Sequence, residues 1–238
     1  MPGLRTLIFF AALLLSVSGW AGEVSQIAVD DENYTQLLNN GAQLAKSGNP
    51  KDAISYFDKV IAGYEKAYND KNQKFYSARW QVESLMCLAE AANTKVSATV
   101  VSANWAYAYY LKAYSLLELG NIKEAKNLLE RALAMSPRNS QFLSEMGNIY
   151  QLEKNWPKAL ETFQAAASAA QEFSPPDDKN AELSRAWRGI GYTYVEQGKL
   201  DDAEKMYRQC LELDANDQRA LNELQYIRQV RAKLGTKL

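Results

Sequence analysis

Few residues of this chain are of a type that could do catalytic chemistry. The 238-residue sequence has no histidine, which removes Ser-His and Cys-His nucleophiles and the usual zinc ligand sets. Three acidic runs, at residues 30–32, 177–178 and 201–202, are the candidates for acid–base catalysis. Each falls at an expected helix start or in a loop, where acids favour the helix dipole, and no phosphate loop, metal-ligand spacing or cofactor fingerprint accompanies them. We therefore predict a protein with no enzymatic activity, no metal and no cofactor.

Charge and composition restrict the class of protein further. The chain has 27 lysine and arginine residues against 28 aspartate and glutamate residues, and this balance argues against nucleic-acid binding through a basic surface. A hydrophobic fraction of 47% argues against a disordered chain. Cys87 and Cys210 lack the spacing of a disulfide framework, so we predict two buried thiols, although export would permit a disulfide.

The first residues have the layout of a secretory signal peptide. Arg5 precedes an apolar run over residues 7–17, and the small residues Gly19 and Ala21 follow it. The run is shorter than the roughly 20 residues that cross a bilayer. We predict a signal peptide over residues 1–21, a mature chain without a membrane span, and export, with the bacterial periplasm as the expected compartment. An uncleaved interfacial anchor is the alternative.

A repeated spacing organises the rest of the chain. A small residue is followed twelve positions later by alanine at four places, which are Gly41/Ala53, Ala113/Ala125, Gly147/Ala159 and Gly191/Ala203. Apolar residues at spacings of three and four flank both members, which predicts two amphipathic helices per unit. In three of the four units a glycine lies five positions before the alanine, where a left-handed residue would end the first helix. Each unit is therefore predicted to be a helical hairpin, with the two small residues facing each other.

The units resemble tetratricopeptide repeats, whose pattern is W-x2-L-G-x2-Y, then A-x3-F, then proline. The fourth unit matches it with Trp187, Ile190, Gly191, Tyr194, Ala203 and Tyr207, and the third with Leu143, Met146, Gly147, Tyr150, Ala159 and Phe163. The resemblance implies an all-α fold, a right-handed α-solenoid of stacked helical hairpins that forms a TPR-like superhelix. The first helices would line its concave side, which in this family binds extended segments of other proteins.

The units do not follow one another evenly. We place them at residues 34–67, 106–139, 140–173 and 184–217 of a TPR-like domain over residues 22–238. Residues 68–105 are predicted to be an irregular helical insertion with a long helix at about 71–93, whose stripe is Phe75, Ala78, Val82, Leu85 and Ala89. Whether this segment is a degenerate repeat stays open. Ten residues added to the third unit near 173–178 are predicted to form a loop, and residues 218–234 a capping helix.

The resemblance also implies which side chains face the groove. They are Tyr107, Tyr110 and Tyr114 of the second unit, Gln141, Asn148 and Gln151 of the third, Arg185, Arg188 and Tyr192 of the fourth, and Arg219, Asn222 and Tyr226 of the end helix. Tyrosine and arginine dominate binding hot spots, arginine holds carboxylates, and amides can pair with a peptide backbone. In the alternative interpretation, the tyrosines pack against residues 71–98 and the arginines form a solvated, ion-paired face.

The function predicted from these features is that of an exported adaptor or scaffold, which binds a partner protein or extended peptide in its concave groove. The alternative is a self-associating structural scaffold of the cell envelope, joined through a repeat end or the insertion, although the sequence shows no heptad seam. Chaperone-binding members of the family hold a carboxylate with lysine, asparagine and arginine. The corresponding slots here, which include Leu38, Ala42 and Glu145, supply no cation, so a chaperone tail is not expected as the ligand.

Overall fold

The computed structural model describes residues 30–235, with side chains up to Lys233. The signal peptide predicted over residues 1–21 lies outside these residues. Within the described part, ten helices and two strands follow in the order α1 (Asp31–Lys46), α2 (Pro50–Ala67), β1 (Lys74–Ala78), α3 (Gln81–Thr94), β2 (Ala98–Ser102), α4 (Asn104–Glu118), α5 (Ile122–Met135), α6 (Ser140–Leu152), α7 (Trp156–Phe173), α8 (Pro176–Glu196), α9 (Leu200–Leu213) and α10 (Gln218–Gly235).

Four helical hairpins make up most of the structure, and they confirm the predicted all-α solenoid. The hairpins are α1–α2, α4–α5, α6–α7 and α8–α9, and α10 packs on α9 at the end of the stack. The alanine of each second helix is completely buried in its hairpin, at Ala53, Ala125, Ala159 and Ala203. The turn glycines Gly48, Gly120 and Gly198 have φ angles of 81°, 78° and 73°, in the left-handed region that glycine adopts without steric cost.

The close approach of the two helices in a hairpin depends on an aromatic ring. A Cβ atom added to Gly147 would lie 2.8 Å from ring carbons of Phe163, and Gly191 has the same relation to the ring of Tyr207. The nearest atoms to these glycines therefore belong to the ring and not to the alanine that we expected to face them. The glycine removes a Cβ atom where the ring of the second helix must lie flat against the first helix.

The insertion between the first two hairpins differs from the predicted helix at 71–93. Residues 74–78 form β1, which pairs in parallel with β2 from Lys74 opposite Ala98 to Ala78 opposite Ser102, and α3 begins only at Gln81. Trp80, with φ −156° and ψ 175°, is extended and separates the strand from the helix. Helical periodicity across Phe75 and Ala78 was misleading because β1 is stabilised by a strand 24 residues further along the chain. The segment is a β-α-β unit and not a degenerate helical hairpin.

The ten added residues of the third unit also differ from the prediction, because they lengthen a helix and do not form a loop. Helix α7 continues to Phe173, and α8 begins at Pro176 and runs for 21 residues. Pro176 occupies the first turn of α8, where a missing N–H has no cost, and Asp177 and Asp178 favour the positive end of the helix dipole.

The insertion does not interrupt the stack of hairpins. Helix α2 packs directly on α4, so the first and second hairpins are neighbours although 36 residues separate α2 from α4 in the sequence. The rings of Tyr64 and Trp105 stack across this junction with centroids 5.5 Å apart. Among residues 30–235, no helix combines the length and hydropathy needed to cross a bilayer.

Candidate peptide-binding groove

A large groove runs along the concave side of the stack. It has an open volume of about 1750 Å³ and takes residues from α1, α4, α6, α8, α9 and α10. The participation of α1 follows from the packing of α2 on α4, which places the first hairpin beside the second despite the insertion. The groove is long enough to contact every hairpin, as an extended ligand would require.

Most of the side chains predicted to face the groove do line it. Those that line it are Tyr110, Tyr114, Gln141, Asn148, Gln151, Arg185, Arg188, Tyr192, Arg219 and Asn222. Two do not. Tyr107 packs with its edge against the ring of Phe142, with centroids 5.2 Å apart, and Tyr226 is an exposed side chain of α10 outside the groove. The structure thus brings ten predicted residues from four helices to one surface.

The tyrosines at the groove are partly packing residues. Tyr110 is only 5% exposed and stacks on Phe142 with centroids 5.0 Å apart. Burial raises the pKa of Tyr110 above its ordinary value, so its hydroxyl stays protonated. Tyr114 is half-buried and Tyr192 is exposed. The tyrosines available to a ligand are therefore Tyr114 and Tyr192, while Tyr110 is a buried part of the groove wall.

The amides of the third hairpin are less free than the sequence suggested. Gln141 accepts a hydrogen bond from the Tyr107 hydroxyl at 3.1 Å and donates one to the Tyr110 hydroxyl at 3.0 Å, so it braces the tyrosines. Gln151 donates to the Gly189 carbonyl oxygen at 2.9 Å. The amide oxygens of Asn148 and Gln151 have no hydrogen-bond donor among the described residues. They can accept hydrogen bonds from the N–H groups of a peptide.

The arginines fall into two kinds. Arg185 forms an ion pair with Glu145, and Arg188 forms one with Asp217; both carboxylates are almost fully buried. Arg219 is exposed, and its guanidinium has no ion-pair partner within residues 30–235. Lys46, the last residue of α1, lines the same groove and likewise has no ion pair in the part of the chain that the structure describes. Arg219 and Lys46 are thus the cations that a ligand can reach without displacing a protein carboxylate.

Sequence analysis missed several residues of the groove. Lys46 was missed because it lies beyond the slots that the repeat pattern assigns to the groove. Tyr207 was identified only as a signature residue of the fourth unit; it is buried, it belongs to the groove lining, and its hydroxyl has no hydrogen-bond partner among the described residues. Glu145 was considered as a ligand slot, whereas it holds Arg185 in place. The pairing of Glu145 with Arg185 joins two neighbouring hairpins, and spacing within one repeat does not reveal it.

The two cysteines are free thiols on separate elements. Cys87 is half-buried on α3 and Cys210 is buried on α9. Burial raises the pKa of the Cys87 thiol to about 11 and that of the Cys210 thiol to about 12, so both thiols are protonated at neutral pH and react slowly.

Comparison with known proteins places the repeats in a family. Residues 106–139 and residues 140–216 match family models described as tetratricopeptide repeat. These residues, which cover the second, third and fourth hairpins, are therefore tetratricopeptide repeats. Proteins built from such repeats are generally binding scaffolds and not enzymes.

Solved structures show the same fold. The chain is similar to pilF of Pseudomonas aeruginosa, with 17% identity and a TM-score of 0.59 over 85% of this chain and 71% of that one. It is also similar to MamA, from residue 41 to the end, of Desulfovibrio magneticus RS-1, with 16% identity and a TM-score of 0.52 over 88% of this chain and 90% of that one. Among curated proteins, no sequence matches.

Proposed function

We propose that this protein is an exported adaptor that binds an extended, acidic segment of a partner protein in its concave groove. The observation that carries the proposal is the pair of reachable cations in one groove, Lys46 on the first helix α1 and Arg219 on the last helix α10. A polar groove with exposed tyrosines suits a peptide, because side-chain amides can accept hydrogen bonds from the peptide backbone and tyrosine rings can contact many kinds of side chain.

The charges of the groove favour an acidic ligand. Arg185 and Arg188 are held by protein carboxylates, so their positions are fixed before a ligand arrives. Arg219 and Lys46 are exposed and have no ion-pair partner among the described residues, so a ligand carboxylate gains a hydrogen-bonded ion pair without breaking one. The ligand we propose therefore carries acidic groups toward both ends and an extended backbone between them.

The proposal of export rests on the sequence of residues 1–21. The charged start, apolar run and small residues there have the layout of a signal peptide. We propose the bacterial periplasm as the location. Fractionation of cells that express the full chain tests it: the protein should leave with the periplasmic contents, and recovery with the cytosol would contradict export.

Charge reversal tests the groove. The full chain is used to retrieve partners from envelope extract, and the double variant Lys46→Glu/Arg219→Glu is compared with the matched control Lys51→Glu/Arg228→Glu. Arg228 lies nine residues after Arg219 on α10, which is half a turn away on the opposite face of the helix. The groove variant should retain less than about a tenth of the partner, since two charge-assisted contacts are reversed. Equal retention by both variants would contradict the proposal.

A further inference from the structure

Helix α3 of the insertion buries a polar face and exposes an apolar face, which is the reverse of a helix that packs on a protein core. Glu83 is buried at 9% exposure, and its carboxylate accepts hydrogen bonds from Arg79 at 2.8 Å and 2.6 Å. Leu85, two positions later, is 66% exposed. Since surface helices normally turn their apolar side inward, this arrangement indicates that the outer face of α3 is covered by something other than the described chain.

The exposed apolar residues of α3 form a continuous line. The outer stripe consists of Val82, Leu85, Ala89 and Ala92, all exposed, at spacings of three, four and three. Leu88, 46% exposed, flanks this line. These spacings are those of the seam along which two helices pack in a coiled coil. Val82, Leu85 and Ala89 belong to the helical stripe that the sequence predicted, in which no heptad seam was expected.

The order of sizes along the outer stripe suits an antiparallel copy of the same helix. Its larger residues Val82 and Leu85 lie in the first half of α3, and its small residues Ala89 and Ala92 lie in the second half. A two-fold axis midway between Leu85 and Ala89 places Leu85 of one copy opposite Ala89 of the other, and Val82 opposite Ala92. Large residues then meet small ones along the whole seam, which a parallel arrangement would not achieve.

The charges of α3 also favour a second copy over a membrane. The exposed positions of α3 carry no charge and are Gln81, Val82, Leu85, Met86, Leu88, Ala89, Ala92, Asn93 and Thr94. Two copies can therefore meet without like-charge repulsion. Helices that lie on membranes carry lysine and arginine on their polar face, whereas the polar face of α3 carries Glu83 and Glu90. Helix α3 contains no lysine or arginine, so it offers anionic lipid no cation of its own.

We propose that two copies of this chain associate through the outer stripe of α3 in an antiparallel pair. This interface lies on the insertion and is separate from the concave groove, so one dimer presents two grooves. A helix of 14 residues is only about 21 Å long. The pair therefore buries less than the roughly 800 Å² per partner of a standard interface, and we expect dissociation in the micromolar range.

Crosslinking of the full chain in cells tests the pairing. The variant Ala89→Cys places a thiol beside the proposed two-fold axis, and Leu152→Cys places one at an exposed leucine at the end of α6 as a matched control. With a short bismaleimide, Ala89→Cys should give at least tenfold more crosslinked dimer than Leu152→Cys. The native chain, whose thiols are at Cys87 and Cys210, measures the background. Dimer yields from Ala89→Cys equal to those of Leu152→Cys would overturn the proposal.

Sedimentation of the protein purified from those cells gives an independent test. The variant Leu85→Lys changes an exposed side chain and should leave the thermal unfolding curve unchanged, while it raises the dimer dissociation constant at least tenfold, because each copy loses a buried leucine contact. Leu152→Lys should have no effect. A native protein that sediments as a monomer at 100 times the expected dissociation constant would overturn the proposal. So would binding to phosphatidylglycerol vesicles that Leu85→Lys abolishes while no dimer is found.

Discussion

Replacing Arg79 by methionine should destabilise the protein by about 3–5 kcal/mol, the cost of removing one partner from a buried ion pair. The Arg79 guanidinium is paired with Glu83 at 2.6 Å and with Glu182 at 2.6 Å, and all three side chains are at most 10% exposed. Methionine fills a similar volume but leaves two buried carboxylates without their cation. Because Glu83 lies on α3 and Glu182 on α8, the substitution also removes the ion pair that joins the insertion to the fourth hairpin.

The assay is urea unfolding followed by circular dichroism, with hydrogen exchange of α3 as a local measurement. Lys205→Met is the matched control, because its pair with Asp202 at 3.2 Å is exposed and should contribute less than about 1 kcal/mol. Adding Glu83→Gln and Glu182→Gln to Arg79→Met removes the unpaired charges and should restore most of the stability. A loss for Arg79→Met no larger than that for Lys205→Met would refute the reasoning.

Three further predictions concern the hairpins, a thiol and the end helix. Gly147→Ala should lower the free energy of unfolding by about 1–3 kcal/mol in urea titration, since the new Cβ would meet the Phe163 ring, and an unchanged midpoint would contradict this packing. Cys87 should react with iodoacetamide at pH 8 about a hundredfold more slowly than an ordinary thiol, because burial raises its pKa to about 11, and alkylation at the ordinary rate would show that the thiol is not buried. Arg231→Ala should raise the pKa of Glu204 toward its ordinary value, since hydrogen bonds from Arg208 and Arg231 lower this pKa in the native protein. The stability that this carboxylate contributes is present at neutral pH and is lost as pH falls through the lowered pKa. An unchanged NMR titration curve of Glu204 in the variant would contradict the pairing.

Much of the fold was predictable because it depends on local patterns. The offset between Gly147 and Phe163 lies within one hairpin, and so does the turn at Gly120, which ends a helix through its own backbone. Such features recur at a fixed spacing, and each copy supports the interpretation of the others. The four hairpins and the capping helix could be recognised for this reason.

The insertion could not be predicted in the same way. Strand β1 exists because β2 lies beside it, and no spacing within residues 74–78 records that partner. The pairing of Arg79 with Glu182 spans 103 positions. Helix α3 was predicted only as part of a longer helix at about 71–93, and its apolar stripe does not show that Leu85 is exposed while Glu83 is buried. The fold of the insertion therefore depends on contacts between distant parts of the chain, which local periodicity does not reveal.

The groove was predictable in outline and less so in detail. Slot positions within the repeat identified most of the lining, because the same slots of each first helix face inward in every hairpin. Which residues are free was not predictable. Gln141 is occupied by two tyrosine hydroxyls and Arg185 by Glu145, and these partners lie on neighbouring hairpins. Lys46 was not predicted, and Arg219 could be distinguished from the paired Arg185 and Arg188 only once the ion pairs were known.

Site-specific photo-crosslinking in cells tests the proposed binding groove most directly. A benzophenone amino acid replaces Tyr114 or Tyr192, which line the groove, and Glu130, an exposed residue of α5 outside it, serves as the control. We predict that both groove positions crosslink to the same extended segment of one partner protein and that position 130 does not. Crosslinks to that partner from position 130 alone, with none from positions 114 and 192, would contradict a ligand in the concave groove.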